Sequence, residues 1–119
     1  LNNTTTIECY ETNELTVITP CGDLIENNPT ALKGHLLSLI AQGKVYFVLD
    51  LRHATLITST GQSVLCSISQ QLQSKRGWLR LVGGNPDILA IFRFTGLANR
   101  FEVFETVDEA VCRPYDFDI

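Results

Sequence analysis

Between Lys44 and Leu51 the chain reads KVYFVLDL, a run in which both alternating faces are apolar. In an extended strand Val45, Phe47, Leu49 and Leu51 fall on one side and Tyr46 and Val48 on the other, so both sides must be covered. A strand with one wet face would alternate polar and apolar residues instead. The run therefore belongs near the middle of a sheet with other elements packed on its faces, which points to an α/β layered architecture.

The flanking sequence supplies those elements. Ile7 to Tyr10 and Leu15 to Thr19 are short β-rich runs separated by ETNE, the pattern of an antiparallel hairpin, with Pro20 and Gly22 expected to break the second strand. NNPT offers capping residues for a helix from about Thr30 to Gln42. Leu32, Leu36, Leu39 and Ile40 share one face of it, and Gly43 suits a left-handed end.

After the central run, a helix from about Thr60 to Lys75 turns Val64, Leu65, Ile68 and Leu72 inward and ends at Gly77, and WLRLV is the next strand. Asn85 caps a helix with Pro86 in its first turn, which runs to about Thr95 and stops at Gly96. Phe101 to Phe104 makes a last strand. Thr106 with Glu109 forms a capping box for a closing helix ended by Pro114. These elements predict one α/β domain over residues 1–119, its core between about residues 7 and 113. An N-terminal hairpin followed by parallel strands makes a mixed β-sheet packed with about four helices.

Composition narrows the function. Apolar residues make up 45% and charged residues 18% of the 119 positions, which suits a globular fold and not a disordered chain. The net charge of −4 and the scattered Lys and Arg residues do not match a phosphate backbone, so no nucleic acid partner is expected. No apolar run reaches the length of a membrane span and no secretion signal is visible, so no membrane association and a cytoplasmic location are expected. A chain that starts at Leu1 and not at methionine is expected to be trimmed. Cys9, Cys21, Cys66 and Cys112 form no C-x-x-C pair and read as buried thiols. His35 and His53 lack neighbours at zinc-site spacing, so neither metal nor cofactor is expected.

One stretch, LITSTGQSVL from Leu56 to Leu65, sets three consecutive hydroxyls and a glycine at the head of a helix. Ser59 followed by Gln62 fits a capping box, and Thr58 or Thr60 could cap instead. The same stretch follows a central strand, where sites form in α/β sheets, and a helix N-terminus favours a phosphate carried on Ser59. Spacing alone favours the cap, and location favours function. Catalysis fails on its own requirements. The glycine that a nucleophile elbow needs two residues after its serine is Leu65, which leaves Ser63 an ordinary helical serine. VGGNPD lacks the lysine of a phosphate loop, and Asp50, Asp23 and Glu26 read as solvated or capping carboxylates. No enzyme is expected.

The order of these motifs resembles that of the STAS domain, the fold of bacterial anti-sigma factor antagonists. The likeness runs through LTVITPCGDL, VYFVLDLRHATLITSTGQSVL, RLVGGNPDILAIFRFTGL and FEVFETVDEAV. It is carried by Gly22 and Leu24, Asp50, Ser59-Thr60-Gly61 and Thr95 to Leu97 in register. The resemblance implies a signalling protein of transcription regulation that binds an anti-sigma factor with serine-kinase activity. It implies phosphorylation at Ser59, which ends the binding, and a phosphatase that reverses it. The partner-binding surface so implied comprises Thr58, Ser59, Thr60, Gly61, Gln62, Thr95, Gly96 and Leu97. The family usually has Asp before the phosphorylated serine. Here Thr58 stands there, leaving Thr58 and Thr60 as alternative acceptors. Members that act as unphosphorylated scaffolds or transport-system subunits are the alternative, with Ser59 then only a helix cap.

Overall fold

In a computed structural model, which describes residues 6–12, 14–24 and 28–112, the double-faced run is the centre of the molecule. The strands are β1 (Thr6–Thr12), β2 (Leu15–Leu24), β3 (Tyr46–Asp50), β4 (Ala54–Ile57), β5 (Trp78–Val82) and β6 (Val103–Phe104). The helices are α1 (Asn28–Ala41), α2 (Ser59–Ser74), α3 (Pro86–Thr95) and α4 (Val107–Cys112). The sheet runs β1-β2-β3-β5-β6, with β4 beside the far end of β2. The first pair is antiparallel and every other pair is parallel.

The two faces of β3 feed two cores. Phe47, Leu49 and Leu51 join Leu32 and Leu36 of α1, Leu65 and Ile68 of α2 and Phe92 of α3. On the opposite face Val48 meets Val17, Val82, Phe104 and Ala110 of α4. Phe47 is fully buried, so truncating it to Ala would cost about 3–5 kcal/mol. The second face also takes a charge. Arg80, 4% exposed, donates to the Ala110 carbonyl at 2.9 Å, lies 3.3 Å from Glu102 Oε1 and stacks 3.9 Å above the Trp78 ring. Its hydrogen bond ties the short α4 to β5, while the ion pair with Glu102 and the stacking on Trp78 of its own strand hold the guanidinium in place for that bond.

Helix ends show where small residues are needed. α1 closes as expected, with Gly43 at φ +98°, its N–H on the Ile40 carbonyl and the Lys44 N–H on that of Leu39. α2 closes in the same way one position earlier than its glycine suggests. Arg76 takes the left-handed conformation at φ 62°, while the Gly77 N–H bonds the Leu72 carbonyl. Gly77 serves a different need, since a Cβ there would overlap the Val45 carbonyl oxygen.

Four expectations are corrected. Pro20 and Gly22 do not break β2, which continues to Leu24. Pro20 lies beyond the last β3 partner, Ile18, so no ladder bond is lost at its nitrogen, and Gly22, at φ 109°, bends the strand at an irregularity toward β4. β4, unmarked in the sequence reading, forms from four residues that complete this second ladder. The last strand is only Val103–Phe104, with Phe101 packed outside it. The cysteines are free thiols, but none is buried. Cys9 and Cys112 are exposed, on the edge strand β1 and at the last residue of α4, and Cys21 and Cys66 are half-buried, near the end of β2 and on the groove side of α2. Asp23's side chain, Glu26, the side chains of the NNPT cap and Pro114 lie outside the described residues.

Candidate functional site

The bend in β2 decides where the hydroxyl stretch goes. Gly22, Asp23 and Leu24 pair with Ala54, Leu56 and Ile57, which extends the chain into Thr58 and launches α2 from the end of that second ladder. Beneath it, a tight turn holds the approach. Asp50, 3% exposed, accepts from Arg52 at its backbone N–H (3.1 Å), Nε (2.9 Å) and Nη2 (2.9 Å). Burial pushes the Asp50 carboxyl up, but these bonds outweigh it and hold the group below its ordinary value.

At the head of α2 the expected capping box does not form. The N-cap is Thr58, with extended backbone at φ −96° and ψ 178°, and its side chain makes no capping bond. Ser59 is instead the first helical residue. Its side chain is exposed, as is that of Thr60, while Gly61 is buried in the first turn. The helix is closed at backbone level by the Gln62 N–H on the Thr58 carbonyl at 3.0 Å. A side chain at the first helical position projects outward and is not needed by the N–H groups that a cap serves.

Ser59 stands at the edge of an open groove of about 430 Å³. Ser59, Gln62, Ser63, Cys66, Ser67 and Gln70 of α2 form one wall, and Thr95 and Leu97 from the end of α3 the other. The groove thus brings together the two separated stretches named from sequence, 58–62 and 95–97. Thr58, Thr60, Gly61 and Gly96 do not line it. Gly96, at φ 85°, turns the chain from α3 into a short 3-10 turn, Leu97–Asn99, which seats Leu97 at 5% exposure. The Thr95 hydroxyl is engaged by the Ile91 carbonyl at 2.8 Å.

The sequence reading missed Ser63, Cys66, Ser67 and Gln70 in this lining. Their signal was available: with Ser59 and Gln62 they recur at helical spacing on the face opposite Val64, Leu65, Ile68 and Leu72, and none carries a charge. Phe94, one residue before Thr95, was also missed and is 90% exposed. The groove contains no acid, base or histidine among its lining residues. Ser63 lines it as an exposed helical hydroxyl. Among the described residues no group of three or more His, Cys, Asp or Glu could hold a metal ion, and no helix is long and apolar enough to cross a membrane. Chemically, the arrangement offers an accessible hydroxyl beside an open groove lined by uncharged residues.

Comparison with known proteins bears on the whole chain. The model of the STAS domain family matches residues 6–110. The fold is that of an anti-sigma factor antagonist from Mycobacterium paratuberculosis, with a TM-score of 0.85 and 21% identity over 93% of this chain and 94% of that one. It is also that of the Bacillus cell fate determinant SpoIIAA in its phosphorylated form, with a TM-score of 0.70 and 21% identity over 91% and 96%. The murine Solute Carrier 26 family member A9 anion transporter shares it as well, with a TM-score of 0.73 and 16% identity over 86% of this chain and 18% of that one. A comparison with curated protein sequences returns no match.

Proposed function

The chain belongs to the STAS domain family, and on that premise we propose that it is an anti-sigma factor antagonist. It is a cytoplasmic, non-catalytic binding module that sequesters an anti-sigma factor with serine-kinase activity and is switched off by phosphorylation of Ser59. The observation that carries this reading is the position of Ser59: exposed, in the first turn of α2, outside the capping role, and on the rim of a groove lined only by uncharged residues. The hydroxyl is accessible to a kinase. Once modified, it brings about −1.5 to −2 charges into that neutral surface, and the N-terminus of α2 favours the anion. A partner shaped for the unmodified groove then meets a desolvation and repulsion cost, and a phosphatase restores the binding form. Phe94, beside Thr95, supports the reading as an apolar anchor for the same partner.

The test is a titration of the anti-sigma partner against the chain before and after incubation with kinase and ATP, with phosphate located by mass measurement of intact protein and fragments. Phosphate is expected on Ser59, with Thr58 and Thr60 as the alternative acceptors. Ser59→Asp is expected to weaken the complex about tenfold or more and Ser59→Asn to leave it near wild type, since only Asp brings charge. Equal affinity of Asp, Asn and phosphorylated forms would sink the switch. A second reading, a scaffold or transport-system subunit that is never phosphorylated, draws support from the fold shared with the murine transporter and from Thr58 in the place of the family's Asp.

A further inference from the structure

β1 is the last strand of the sheet, and among the described residues nothing pairs with its outer edge. Glu8, Cys9, Tyr10 and Glu11 are all exposed there. Which backbone groups face that edge follows from β2. The Gly22 N–H donates to the His53 carbonyl, on the β4 side of β2 and away from β1. N–H directions alternate along a strand, so Pro20, Ile18 and Thr16 also turn their nitrogens away from β1. Their partners Ile7, Cys9 and Glu11 therefore form the non-hydrogen-bonded pairs of the hairpin and aim their own N–H and C=O groups at the open edge. Edges of this kind are commonly blunted by proline, by charged side chains, lysine above all, or by a bulge. Thr6–Thr12 contains no proline or lysine, its register with β2 is unbroken, and of its two charges Glu11 is paired with Lys44.

We propose that this edge pairs antiparallel with the same strand of a second copy of the chain, about a two-fold axis through Cys9. In that register Cys9 faces Cys9 of the second copy, Ile7 faces Glu11, Glu8 faces Tyr10 and Thr6 faces Thr12. The outward groups of Ile7, Cys9 and Glu11 meet their counterparts, and no two like charges stand opposite. Glu11 is already held by Lys44 at 2.9 Å, and Tyr10, 52% exposed, covers the stem of the facing Glu8. Centring the axis on Glu11 would set two carboxylates face to face. An axis on Ile7 would oppose no like charges either but would pair only Thr6 to Glu8, so the register about Cys9 is the one that uses the whole strand without opposed charges, and this self-complementarity argues for a second copy as the occupant.

Two measurements test the pairing on the full chain. Sedimentation over a range of concentrations is expected to show a monomer–dimer equilibrium that Cys9→Lys weakens at least tenfold, because two lysines then face each other, with the thermal melt of dilute, monomeric protein unchanged. In the second, chains retaining only Cys9 or only Cys112, the other cysteines changed to Ser, are treated with diamide. Diamide takes up two electrons and two protons as two thiols become one disulfide. Paired residues of this type lie about 5.5 Å apart at Cα, within disulfide range. Burial, and then Glu11, push the Cys9 thiol up, so the reaction is run in alkaline buffer. Cys9 is expected to give covalent dimer at least ten times faster than Cys112, which is also exposed. Equal rates, or undiminished dimer in Cys9→Lys, overturn the proposal. So does a wild type that stays monomeric throughout while Cys9→Lys impairs binding of another protein, which would assign the edge to that protein.

Discussion

α2 and α3 begin alike and are finished differently. Each follows a strand of a parallel ladder, and each enters its helix through an extended residue, Thr58 at φ −96° and Asn85 at φ −70°. At α3 the Asn85 side chain accepts the Ile88 N–H at 2.9 Å, Pro86 fills a position whose N–H is not needed, and Asp87 adds an acid to the first turn. At α2 the Thr58 side chain makes no capping bond, the first turn holds no acid, and the Ser59 and Thr60 side chains face solvent. One start is closed by its own side chains. The other leaves its N-terminal field unmatched by any acidic side chain of the first turn, and it is the one beside the groove. The closed start also braces the open one, since Asn85 Nδ2 donates to the Thr55 carbonyl of β4, the strand that leads into α2.

The largest effect on this contrast is expected from Asn85→Ala. It removes both the cap of α3 and the brace to β4, a loss of about 1–2 kcal/mol for the cap by analogy with other caps, or a melting temperature lower by roughly 5–10 °C. Asn85→Asp keeps the acceptor for Ile88 but not the donor for Thr55, and should fall between. If Asn85→Ala melts like wild type, the two starts do not differ energetically.

A smaller effect, screened by the half-exposed Arg52, lies in the turn beneath α2. Burial alone would raise Asp50, but the bonds from Arg52 leave its folded-state pKa depressed. The folded chain therefore binds this proton less readily than the unfolded one. The resulting stability is fully present above the ordinary carboxylate value of about 4, and is lost as pH falls through the lower folded value. Arg52→Gln removes the side-chain bonds and the charge that depress Asp50 and lets burial raise it, so this acid loss should be absent in the variant, which starts less stable near neutral pH and converges on wild type as pH falls. Melts from about pH 6 to about pH 2.5 check this. Coincident profiles for the two proteins would show that the turn contributes nothing to holding the start of α2.

Much of this contrast was legible in the sequence where a single local rule decides. Asn-Pro-Asp before an apolar helical pattern permits one arrangement, and Asn85 takes it. The apolar period of α2 and the two faces of β3 likewise need no knowledge of neighbours. The misses are places where tertiary structure chooses between local options. Ser59 and Gln62 have capping-box spacing, yet β4 pairs with β2 only as far as Ile57, so the helix begins one residue earlier than that spacing implies and Thr58 is the cap. β4 itself is too short for a pattern to announce it and exists because Gly22 bends β2 toward it. Pro20 reads as a strand breaker until its nitrogen is known to need no partner. The groove combines residues 59–70 with Thr95 and Leu97, a juxtaposition of α2 and α3 that spacing along one helix does not encode.

A still smaller effect, of opposite sign, is expected from Thr58→Asp. Thr58 occupies a cap position without making the cap bond, and Asp is both a better cap than Thr and a favourable charge beside the helix N-terminus. The variant should be more stable by about 0.5–1 kcal/mol, bringing α2 closer to the finished state of α3. The gain should shrink in high salt, because its charge part is screened. A melt that shows no gain at either salt concentration would mean that the backbone of Thr58 is not disposed to let any side chain cap, and that the openness of α2 is geometric.

The smallest effect on stability is expected at the residue that matters most for the proposed switch. Were Ser59 the cap, Ser59→Ala would cost about 1 kcal/mol, comparable to the cap loss in Asn85→Ala. In the structure it is an exposed first-turn residue, and Ala is at least as good a helix former as Ser. The change should therefore lie within about 0.5 kcal/mol of wild type. The same substitution removes the hydroxyl that the proposed kinase modifies. Ser59→Ala should bind the anti-sigma partner at close to wild-type affinity and keep binding it after kinase and ATP are added, when the wild type is released. Paired melts and titrations separate this from a structural role. A drop in melting temperature as large as that of Asn85→Ala would place Ser59 back among the caps. Retained stability together with lost response to the kinase would leave an unfinished helix start whose hydroxyl serves the switch and not the fold.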